Sequence, residues 1–580
     1  MNIPFSDVHL PQLVYLRNRL WTEIFNLIAS LTRHGNREDK FDDRSVEALS
    51  VFSRTLVEVG NEPFLETLCE SISCLGSNEL QNSALTSLTS LLRIEVHRTF
   101  EKTKTPDDGV FETASLQTLL DSVRTPRSVV ISGTKDNLEN SAPLPASTRK
   151  TKQTARSLER HKMNLLEEAY FGQVFPTKLD ADVPEDFEIL LHLYDIYDSK
   201  ADNKRRACVL AALTGLLGVS KEAKRYALEK GLAQVVVRQL RDFHIRLSLE
   251  SVDCLRRVGD KRRVCPVLKE LDELVGLLTN FMVGDEAVKT EVVSLNLADV
   301  IHKLWVWFLA QNAYLVDVLR MLCVYTVECP FACQSLTLTS PVAGSGPRRT
   351  PSNVSLLHTI IALIVKEMDQ VSKTHSLGIL ELCFNVLNNC CESLECRVLM
   401  SKGNLFQSIS RLHPAITKRQ KPWEGIELIW LEFLQTFTSH PEGQTSVAKV
   451  TDVLELVMTL TSSTRAQNRL AAMLVLRNLA FYQPNRPRLL SSGDFLNILQ
   501  TKLTSGSREE KNTVVVIMWA LANNSQKAKI ILKSAHLDSK LQHTIKHSQL
   551  VTRSESQFSN EELERMYYVL NMLRDGEKVR

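Results

Sequence analysis

The sequence predicts an all-α fold, an armadillo/HEAT-like helical repeat solenoid with a disordered linker near residues 101–157. Three observations predict it: apolar residues recur at helical spacing, the most regular segments repeat every 42 residues, and 580 residues exceed what one hydrophobic core usually serves. Aromatic residues make up only 6% of the chain and glycine only 21 residues, which favours helices over a β-rich architecture.

Residues 1–100 are predicted to form N-terminal helical-hairpin repeats. Apolar residues fall at helical spacing in 14–31, 45–59, 64–75 and 79–98. Short helices joined by short turns indicate stacked hairpins and not a long coiled coil.

The composition changes between residues 101 and 157, which are rich in Ser, Thr, Pro, Lys and Arg. Such a segment buries too little apolar surface to offset the entropy of ordering it, so it is predicted to be a disordered linker. A basic run near its end has three interpretations: a solvated linker flank, a docking site for an acidic partner, or a nuclear-import signal. The run comprises Arg149, Lys150, Lys152, Arg156, Arg160 and Lys162.

Helical spacing then resumes and continues nearly to the end of the chain. Residues 158–337 and 353–580 are predicted to form armadillo-like repeats, the second group ending in a C-terminal cap. The segment between them, 338–352, has the Gly, Pro and Ser content of an exposed loop, and 412–425 is a further interruption.

The repeat is clearest when the segment starting at Leu476 is compared with the segment starting at Met518, 42 residues later. A third segment, QTFTSHPEGQTSVAKVTDVLELV, fits the same frame one period earlier. Less regular copies begin at Ala212 and Asn388. The equivalent positions are Phe437, Leu479 and Leu521; Val447, Leu489 and Ile531; and Val453, Phe495 and Leu537.

The period has a geometric reason. One short helix and two longer ones need about 40 residues, and they cover their apolar faces only when stacked on neighbours. A small residue such as Gly231, placed before the following apolar helix, suits a helix end that needs positive φ or close packing.

The last helix is predicted to close the array. An array end needs a polar outer surface to remain soluble. The acidic start of segment 560–580 supplies polar residues beside an apolar packing face, which comprises Met566, Tyr567, Val569, Leu570 and Leu573.

Two further arrangements are candidates for binding. Trp519 and Asn523 are four residues apart on one helix face, the spacing that armadillo proteins use to hold extended peptides. Asn478 is a candidate equivalent one repeat earlier, although Leu474 replaces the Trp and the pair departs from the 42-residue frame by three positions. Ordinary packing, with Asn523 closing its helix, is the alternative interpretation.

Candidate modification sites precede prolines in predicted loops. Proline-directed kinases recognise this dipeptide in exposed chain, and a phosphate adds about −2 charge. These possible phosphosites are Thr105, Thr125, Ser340 and Thr350.

No catalytic, cofactor-binding or metal-binding residues are predicted. The phosphate-loop, dinucleotide, zinc-protease and serine-hydrolase motifs are absent from the sequence. His543 and His547, four apart, indicate a solvated helix face, and Trp305 and Trp307 indicate core filling, with a partner hot spot as the alternative. The twelve cysteines include no CxxC pair and are predicted to be buried or free thiols.

The composition also argues against several partner classes. A net charge of +3 over this length gives no reason to expect nucleic acid. The most apolar stretch, 297–319, contains Asp, His, Lys and Asn and so indicates a buried helix and not a membrane span. No small-molecule substrate and no secretory signal are expected.

Two stretches, AAMLVLRNLAFYQPNRPRLLSS (471–492) and VVVIMWALANNSQKAKIILKSA (514–535), resemble the C-terminal end of the rotatin family, and YYVLNMLR (567–574) suits its last helix. The resemblance implies an armadillo-type protein of centrioles and ciliary basal bodies, located in the cytoplasm and centrosome, with centrosomal or ciliary proteins as partners. Family members are several times longer, so the resemblance also implies a fragment or short isoform of a longer protein.

The leading hypothesis is therefore a non-enzymatic scaffold in centriole assembly and cilium formation. The alternative is a peptide-binding armadillo adaptor of the transport or junctional type, which a ladder of Trp and Asn on successive helices would favour. An enzyme is the third hypothesis, and no motif supports it.

Overall fold

The structure is a computed structural model of the 580-residue chain. It describes residues 10–33, 67–68, 71–72, 77–102, 193–194, 196–197, 203–250, 266–309, 311–341, 353–370, 377–402, 405–406, 426–550 and 558–574.

The chain divides into two compact units, Met1–Ala332 and Cys333–Arg580. The first unit is a stack of helices. They are α1 (Leu10–Arg33), α2 (Asn78–Lys102), α3 (Asn203–Val219), α4 (Lys221–Glu229), α5 (Leu232–Glu250), α6 (Pro266–Met282), α7 (Glu286–Ser294), α8 (Leu297–Phe308), α9 (Asn312–Thr326) and α10 (Pro330–Ser335), which spans the division.

The second unit begins with a short hairpin and continues as helices. Its elements are β1 (Thr339–Pro341), β2 (Asn353–Ser355), α11 (Leu356–Gln370), α12 (Leu377–Cys390), α13 (Leu394–Lys402), α14 (Ile426–Phe437), α15 (Pro441–Lys449), α16 (Thr451–Leu460), α17 (Ala466–Phe481), a 3₁₀ turn (Gln483–Asn485), α18 (Arg486–Ser491), α19 (Gly493–Ser505), α20 (Arg508–Ala522), α21 (Gln526–Ser534), α22 (Leu537–Leu550) and α23 (Asn560–Arg574).

Long helices stack in one row within each unit. In the first unit the row runs α1, α2, α3, α6 and α9, and in the second it runs α12, α14, α17, α20 and α23. Each helix packs on the next, so the apolar core is continuous along the row and each repeat contacts mainly its neighbours. The predicted all-α solenoid is confirmed.

The 42-residue frame is confirmed by burial. Phe437, Leu479 and Leu521 are all fully buried, and so is the next equivalent set, Val453, Phe495 and Leu537. At the remaining set Val447 and Leu489 are buried, whereas Ile531 is only partly covered. These equivalent positions of the 42-residue frame are therefore core positions and do not merely carry similar residues.

A short second helix recurs in both units with a similar pattern of residue types. Its N-cap side chain accepts a hydrogen bond from the backbone N–H three residues later, as Ser220, Asp285 and Ser525 do. The residue at that third position is small or branched and buried, and a basic residue follows it. The buried residues are Ala223, Val288, Cys396 and Ala528, followed by Lys224, Lys289, Arg397 and Lys529.

Left-handed residues follow the short helices. Gly231 has φ of +80°, which confirms the predicted positive φ before the next apolar helix. Asn296 (φ 57°) and His536 (φ 56°) occupy the equivalent position in other repeats. The geometry is thus constant although the residue type is not.

The predicted exposed loop at 338–352 is wrong at its start. Thr339–Pro341 forms β1, which pairs antiparallel with β2 so that Ser340 lies opposite Val354. Backbone pairing with residues beyond the Gly/Pro-rich stretch fixes this strand, and local composition does not report such pairing.

The N-terminal helices agree with the prediction where they are described. Segment 14–31 lies within α1, and α2 extends beyond the predicted 79–98 to Lys102. Segment 45–59, the linker residues 103–157 and the interruption at 412–425 lie outside the described residues.

Candidate protein-interaction surface

Adjacent repeats of the second unit are joined by buried side-chain amides. Asn478 Nδ2 donates to the Gln435 carbonyl at 3.0 Å, and Asn485 Nδ2 donates to the Gln444 carbonyl, also at 3.0 Å. Each bond links one repeat to the one before it. Because an unpaired buried amide costs about 1–3 kcal/mol, these bonds fix how successive repeats sit on one another.

Ion pairs lie at the next junction, where α20 begins. Arg469 Nε lies 2.9 Å from Glu510 Oε1, and Lys502 Nζ lies 3.1 Å from the same oxygen. Glu510 also forms a capping box with Ser507 at the start of α20. These hydrogen bonds and cations lower the pKa of the Glu510 carboxyl, although burial opposes the shift most strongly.

One face of the row remains partly exposed on three consecutive long helices. The exposed positions follow helical spacing along α14, α17 and α20 and the residues just after α14 and α20, and they align in the 42-residue frame, so they form three parallel stripes. We call these positions the repeat face. It comprises Leu428, Glu432, Gln435 and Ser439; Leu470, Leu474, Arg477 and Phe481; and Asn512, Val516, Trp519 and Asn523.

An aromatic pair is the most prominent feature of the repeat face. The Phe481 and Trp519 rings lie 6.0 Å apart between centroids and are tilted by 60°. Phe481 keeps 42% of its surface exposed, and Trp519 is only partly buried. A partly exposed aromatic pair on a rigid helical framework is typical of a partner-binding hot spot.

Charge varies along the face. Burial, followed by the nearby Glu381 carboxylate, raises the pKa of Glu432 to about 7. Burial also lowers the pKa of the Arg477 guanidinium, whose Nη2 donates to Asn478 Oδ1 at 3.1 Å. The repeat face thus has the titratable Glu432 carboxyl on α14 and the Arg477 guanidinium on α17.

The predicted peptide-groove residues do not form a ladder. Asn478 is only 6% exposed, and its amide donates to Gln435 and to Thr438 Oγ1 at 3.3 Å, so it serves repeat packing. Asn523 is the C-cap of α20, and its backbone N–H donates to the Trp519 carbonyl at 2.9 Å. The structure therefore favours the packing interpretation for Asn478 and Asn523 and leaves Trp519 on the surface.

The other aromatic and histidine predictions are confirmed. Trp305 and Trp307 are 4% and 8% exposed and fill the core of the first unit. His543 and His547 lie side by side on an exposed helix face, with ring centroids 6.3 Å apart.

All eight described cysteines are buried, as predicted, and none of them forms a disulfide. Three of them meet in the second unit, where Cys396 Sγ lies 3.2 Å from the Cys333 carbonyl oxygen. Hydrogen bonds with the Cys333 and Cys396 thiols, together with burial, raise the pKa of Cys390. Among the described residues no group of three His, Cys, Asp or Glu side chains has the geometry to hold a metal ion.

The remaining predicted sites are only partly tested. Ser340 lies in β1, whereas Thr105, Thr125 and Thr350 lie outside the described residues. No helix in the described part of the chain is long and apolar enough to cross a membrane.

The C-terminal cap prediction holds for four of its five residues. Met566, Val569, Leu570 and Leu573 are buried, at 3% exposure or less. Tyr567 is wrong as a packing residue because it is 39% exposed. Met566 and Leu570 lie on the buried side of the helix, and Tyr567, one residue after Met566, therefore lies on a different side with its ring outward.

The sequence prediction missed two residues of the repeat face. Phe481 ends its helix like an ordinary core aromatic, and Glu432 lies inside an apolar run. The 42-residue frame could have found both, since Phe481 is equivalent to Asn523 and Glu432 to Val516.

The stacked helices and the outward face define a class, the armadillo/HEAT-like α-solenoid. A solved engineered protein shares this fold with a TM-score of 0.52 at 13% identity, over 94% of this chain and 98% of that one. No family model matches the chain.

The chain is similar in sequence to rotatin proteins, the resemblance that its C-terminal motifs predict. It is 28% identical over 351 residues to human Rotatin and 26% identical over 352 residues to the Drosophila melanogaster rotatin homolog. The alignments cover 60% and 57% of this chain, but only 15% and 17% of the relatives. The chain thus matches about one sixth of the length of these curated relatives.

Proposed function

We propose that the chain is a non-enzymatic scaffold that holds partner proteins on the repeat face and acts in centriole assembly and cilium formation. The observation that carries the binding role is the partly exposed Phe481–Trp519 pair on a framework locked by buried amides. The resemblance to rotatin supports the centriolar setting.

The mechanism follows from rigidity. A partner that docks on α17 and α20 meets side chains already held in place, so it loses little affinity to ordering this surface. Arg477 adds a cation beside the aromatic pair, since it lies one helical turn before Phe481 on the same stripe.

The alternative, an adaptor that grips an extended peptide through repeated Asn side chains, is less well supported. Such an adaptor needs a free amide on successive helices. The Asn478 amide already donates to Gln435 and Thr438, so it is not available to bind a peptide backbone. The exposed groups on this surface are instead the Phe481 and Trp519 rings, which can contact partner side chains.

The test is the location of the tagged full chain in ciliated, dividing cells with marked centrioles. We expect the wild-type chain at centrioles and basal bodies, and we expect Phe481→Glu to weaken its retention while the melting temperature stays unchanged. Ile530→Glu is the matched control, because Ile530 is 58% exposed on α21 and lies outside the repeat face.

Two outcomes would count against the proposal separately. A wild-type chain that is absent from centrioles would remove the centriolar role and leave the scaffold. Equal retention of Phe481→Glu and Ile530→Glu would show that partners do not use the repeat face.

A further inference from the structure

The long helix that follows α20 in the row, α23, begins in the same way as α20. The Ser507 and Ser559 side chains each accept a hydrogen bond from the backbone N–H three residues later, at Glu510 and Glu562. Each of these glutamates also pairs with an arginine of the long helix before it. Equivalent positions on α20 and α23 are therefore 52 residues apart.

Burial agrees with this register. The equivalent inward positions are buried on both helices: Val514 and Met566, Ile517 and Val569, Met518 and Leu570, and Leu521 and Leu573. On the outward side Tyr568 is equivalent to Val516 of the repeat face, and it keeps 62% of its surface exposed. The outward surface thus continues from α20 onto α23.

One line of equivalent outward positions is apolar on three consecutive long helices. It comprises Leu474 on α17, Val516 on α20 and Tyr568 on α23, and we call these three residues the crossing band. Because equivalent positions of stacked helices lie side by side, the band runs across the helix axes. The Phe481–Trp519 pair borders the band, since Trp519 lies one helical turn after Val516.

The spacing of the band decides which kind of backbone can follow it. Packed helices lie about 8–10 Å apart. A helix laid across them advances about 10.5 Å in seven residues and then presents the same face again. An extended strand advances about 10 Å in three residues, and residues three apart point to opposite faces. The spacing therefore favours a helix over an extended peptide.

We propose that the crossing band binds an amphipathic α-helix of a partner protein, which lies across α17, α20 and α23 with apolar residues repeating every seven positions. The inference rests on the proposed role of the repeat face and names the kind of partner that this surface holds. The apolar side of the partner helix covers the three band residues, and its polar side stays in water.

Charged side chains of opposite sign lie at the two ends of the band. Arg477 lies one turn from the band on α17, and the exposed Glu564 lies one turn from it on α23. Arg565, beside Glu564, is paired with Glu561 at 3.6 Å. A partner helix with acidic residues over α17 and basic residues over α23 complements both ends, whereas the reversed helix brings like charges together. Such border charges fix orientation more than they add affinity.

The test is fluorescence anisotropy of the purified full chain with two labelled peptides of about 21 residues, which is three heptads. The helix peptide has leucine at the first and fourth position of each heptad, glutamates at one end and lysines at the other. The strand peptide contains the same residues, rearranged so that leucines alternate with polar residues. We expect the helix peptide to bind at least about tenfold more tightly than the strand peptide.

Variants of the chain locate the binding site. Tyr568→Glu should weaken binding of the helix peptide by at least about tenfold, because it places a charge in the apolar contact. Ile530→Glu is the matched control, since Ile530 is 58% exposed and lies away from the band, and it should leave the affinity unchanged. Circular dichroism checks that each variant folds.

A charge exchange tests the orientation of the partner helix. Arg477→Glu should weaken binding of the helix peptide, and a second helix peptide with lysines in place of the glutamates should recover the affinity for this variant. A charge exchange without recovery would contradict the proposed orientation.

Two results would overturn the crossing helix. They are equal or undetectable binding of the helix and strand peptides, and full affinity of the Tyr568→Glu chain for the helix peptide. If Phe481→Glu still loses retention at centrioles in either case, the repeat face holds partners and only the helical class is wrong. If Phe481→Glu also behaves like Ile530→Glu there, the proposed role of the repeat face fails as well.

Discussion

Trp305 and Trp307 of the first unit and Trp519 of the second have opposite roles, whereas Trp430 on α14 of the second unit is fully buried. Trp305 and Trp307 lie on α8, the third helix of their repeat, and are buried at 4% and 8% exposure. Trp519 lies on α20, a first helix in the long-helix row, and stays partly exposed beside Phe481. The comparison teaches that position within the repeat, and not residue type, separates a core aromatic from one available to a partner.

The largest expected effect concerns a position where one repeat of the second unit has a smaller residue than the other repeats. In the first unit the third residue of the short helix is Ala223 or Val288, whereas α15 has Gly443. A Cβ added at Gly443 would lie 2.0 Å from the Phe437 carbonyl oxygen. We expect Gly443→Ala to lower the free energy of unfolding by about 3 kcal/mol, measured by urea denaturation.

Gly493→Ala is the matched control for this change. A Cβ at Gly493 would meet no atom within 4 Å, so this variant should be neutral or slightly more stable. Equal destabilisation by both substitutions would contradict the close packing at Gly443.

The second prediction compares buried amides in the two units. Asn478 Nδ2 donates to Gln435 at 3.0 Å, and in the first unit Asn280 Nδ2 donates to the Thr214 carbonyl at 2.7 Å. We expect Asn478→Ala and Asn280→Ala each to cost about 2 kcal/mol of unfolding free energy, because each leaves a buried carbonyl without its donor. Asn571→Ala, at an exposed position of α23, is the control and should leave the unfolding free energy unchanged. A similar loss of unfolding free energy in that variant would contradict the role assigned to the buried amides.

The third prediction uses the carboxyl that distinguishes the repeat face. The pKa of Glu432 is raised to about 7 from an ordinary value of 4.5, so the folded chain binds more protons than the unfolded chain between these pH values. Stability conferred by the neutral carboxyl is therefore complete below about pH 4.5 and is lost as pH rises through 7.

Glu432→Gln keeps the neutral form at every pH. We expect it to unfold at the wild-type free energy near pH 4.5 and to be more stable by about 1–2 kcal/mol at pH 8, allowing for partial exposure. The exposed Glu455→Gln on α16 is the control. A Glu432→Gln gain that does not vary with pH would contradict the raised pKa.

The smallest effect concerns the left-handed position after the short helix. The first unit has Gly231 there, with φ of +80°, whereas the second has His536 at 56°. We expect His536→Gly to raise the melting temperature, corresponding to about 1 kcal/mol, because glycine adopts this conformation without strain. An unchanged or lower melting temperature would show that His536 makes a compensating contact.

Much of the fold could be predicted from the sequence because burial repeats with the frame. Phe437, Leu479 and Leu521 recur every 42 residues and are all fully buried, so the sequence period predicts directly which residues form the core. The hairpin start at Ser340 could not be predicted, since its partner Val354 lies on the far side of a Gly/Pro-rich stretch. Local composition does not report pairing of that kind.

The candidate site was harder to predict for a different reason. Asn478 and Trp519 both resemble peptide-binding residues of armadillo repeats, and only the contacts separate them. The 3.0 Å bond to Gln435 turns Asn478 inward, whereas Trp519 contacts a ring that is itself 42% exposed. Periodicity identifies the helix face but does not show whether an outward side chain is already bonded to its neighbour.

Site-specific photo-crosslinking in ciliated cells tests most directly whether the repeat face holds partner proteins. A photoreactive phenylalanine is placed at Phe481 in one full-length chain and at Ile530 in another, since both positions are exposed but only Phe481 lies on the repeat face. We expect crosslinks to centriolar proteins from position 481, reduced when Trp519 is replaced by alanine, and none of these from position 530. The same crosslinked proteins from both positions, or from 530 alone, would contradict partner binding on the repeat face.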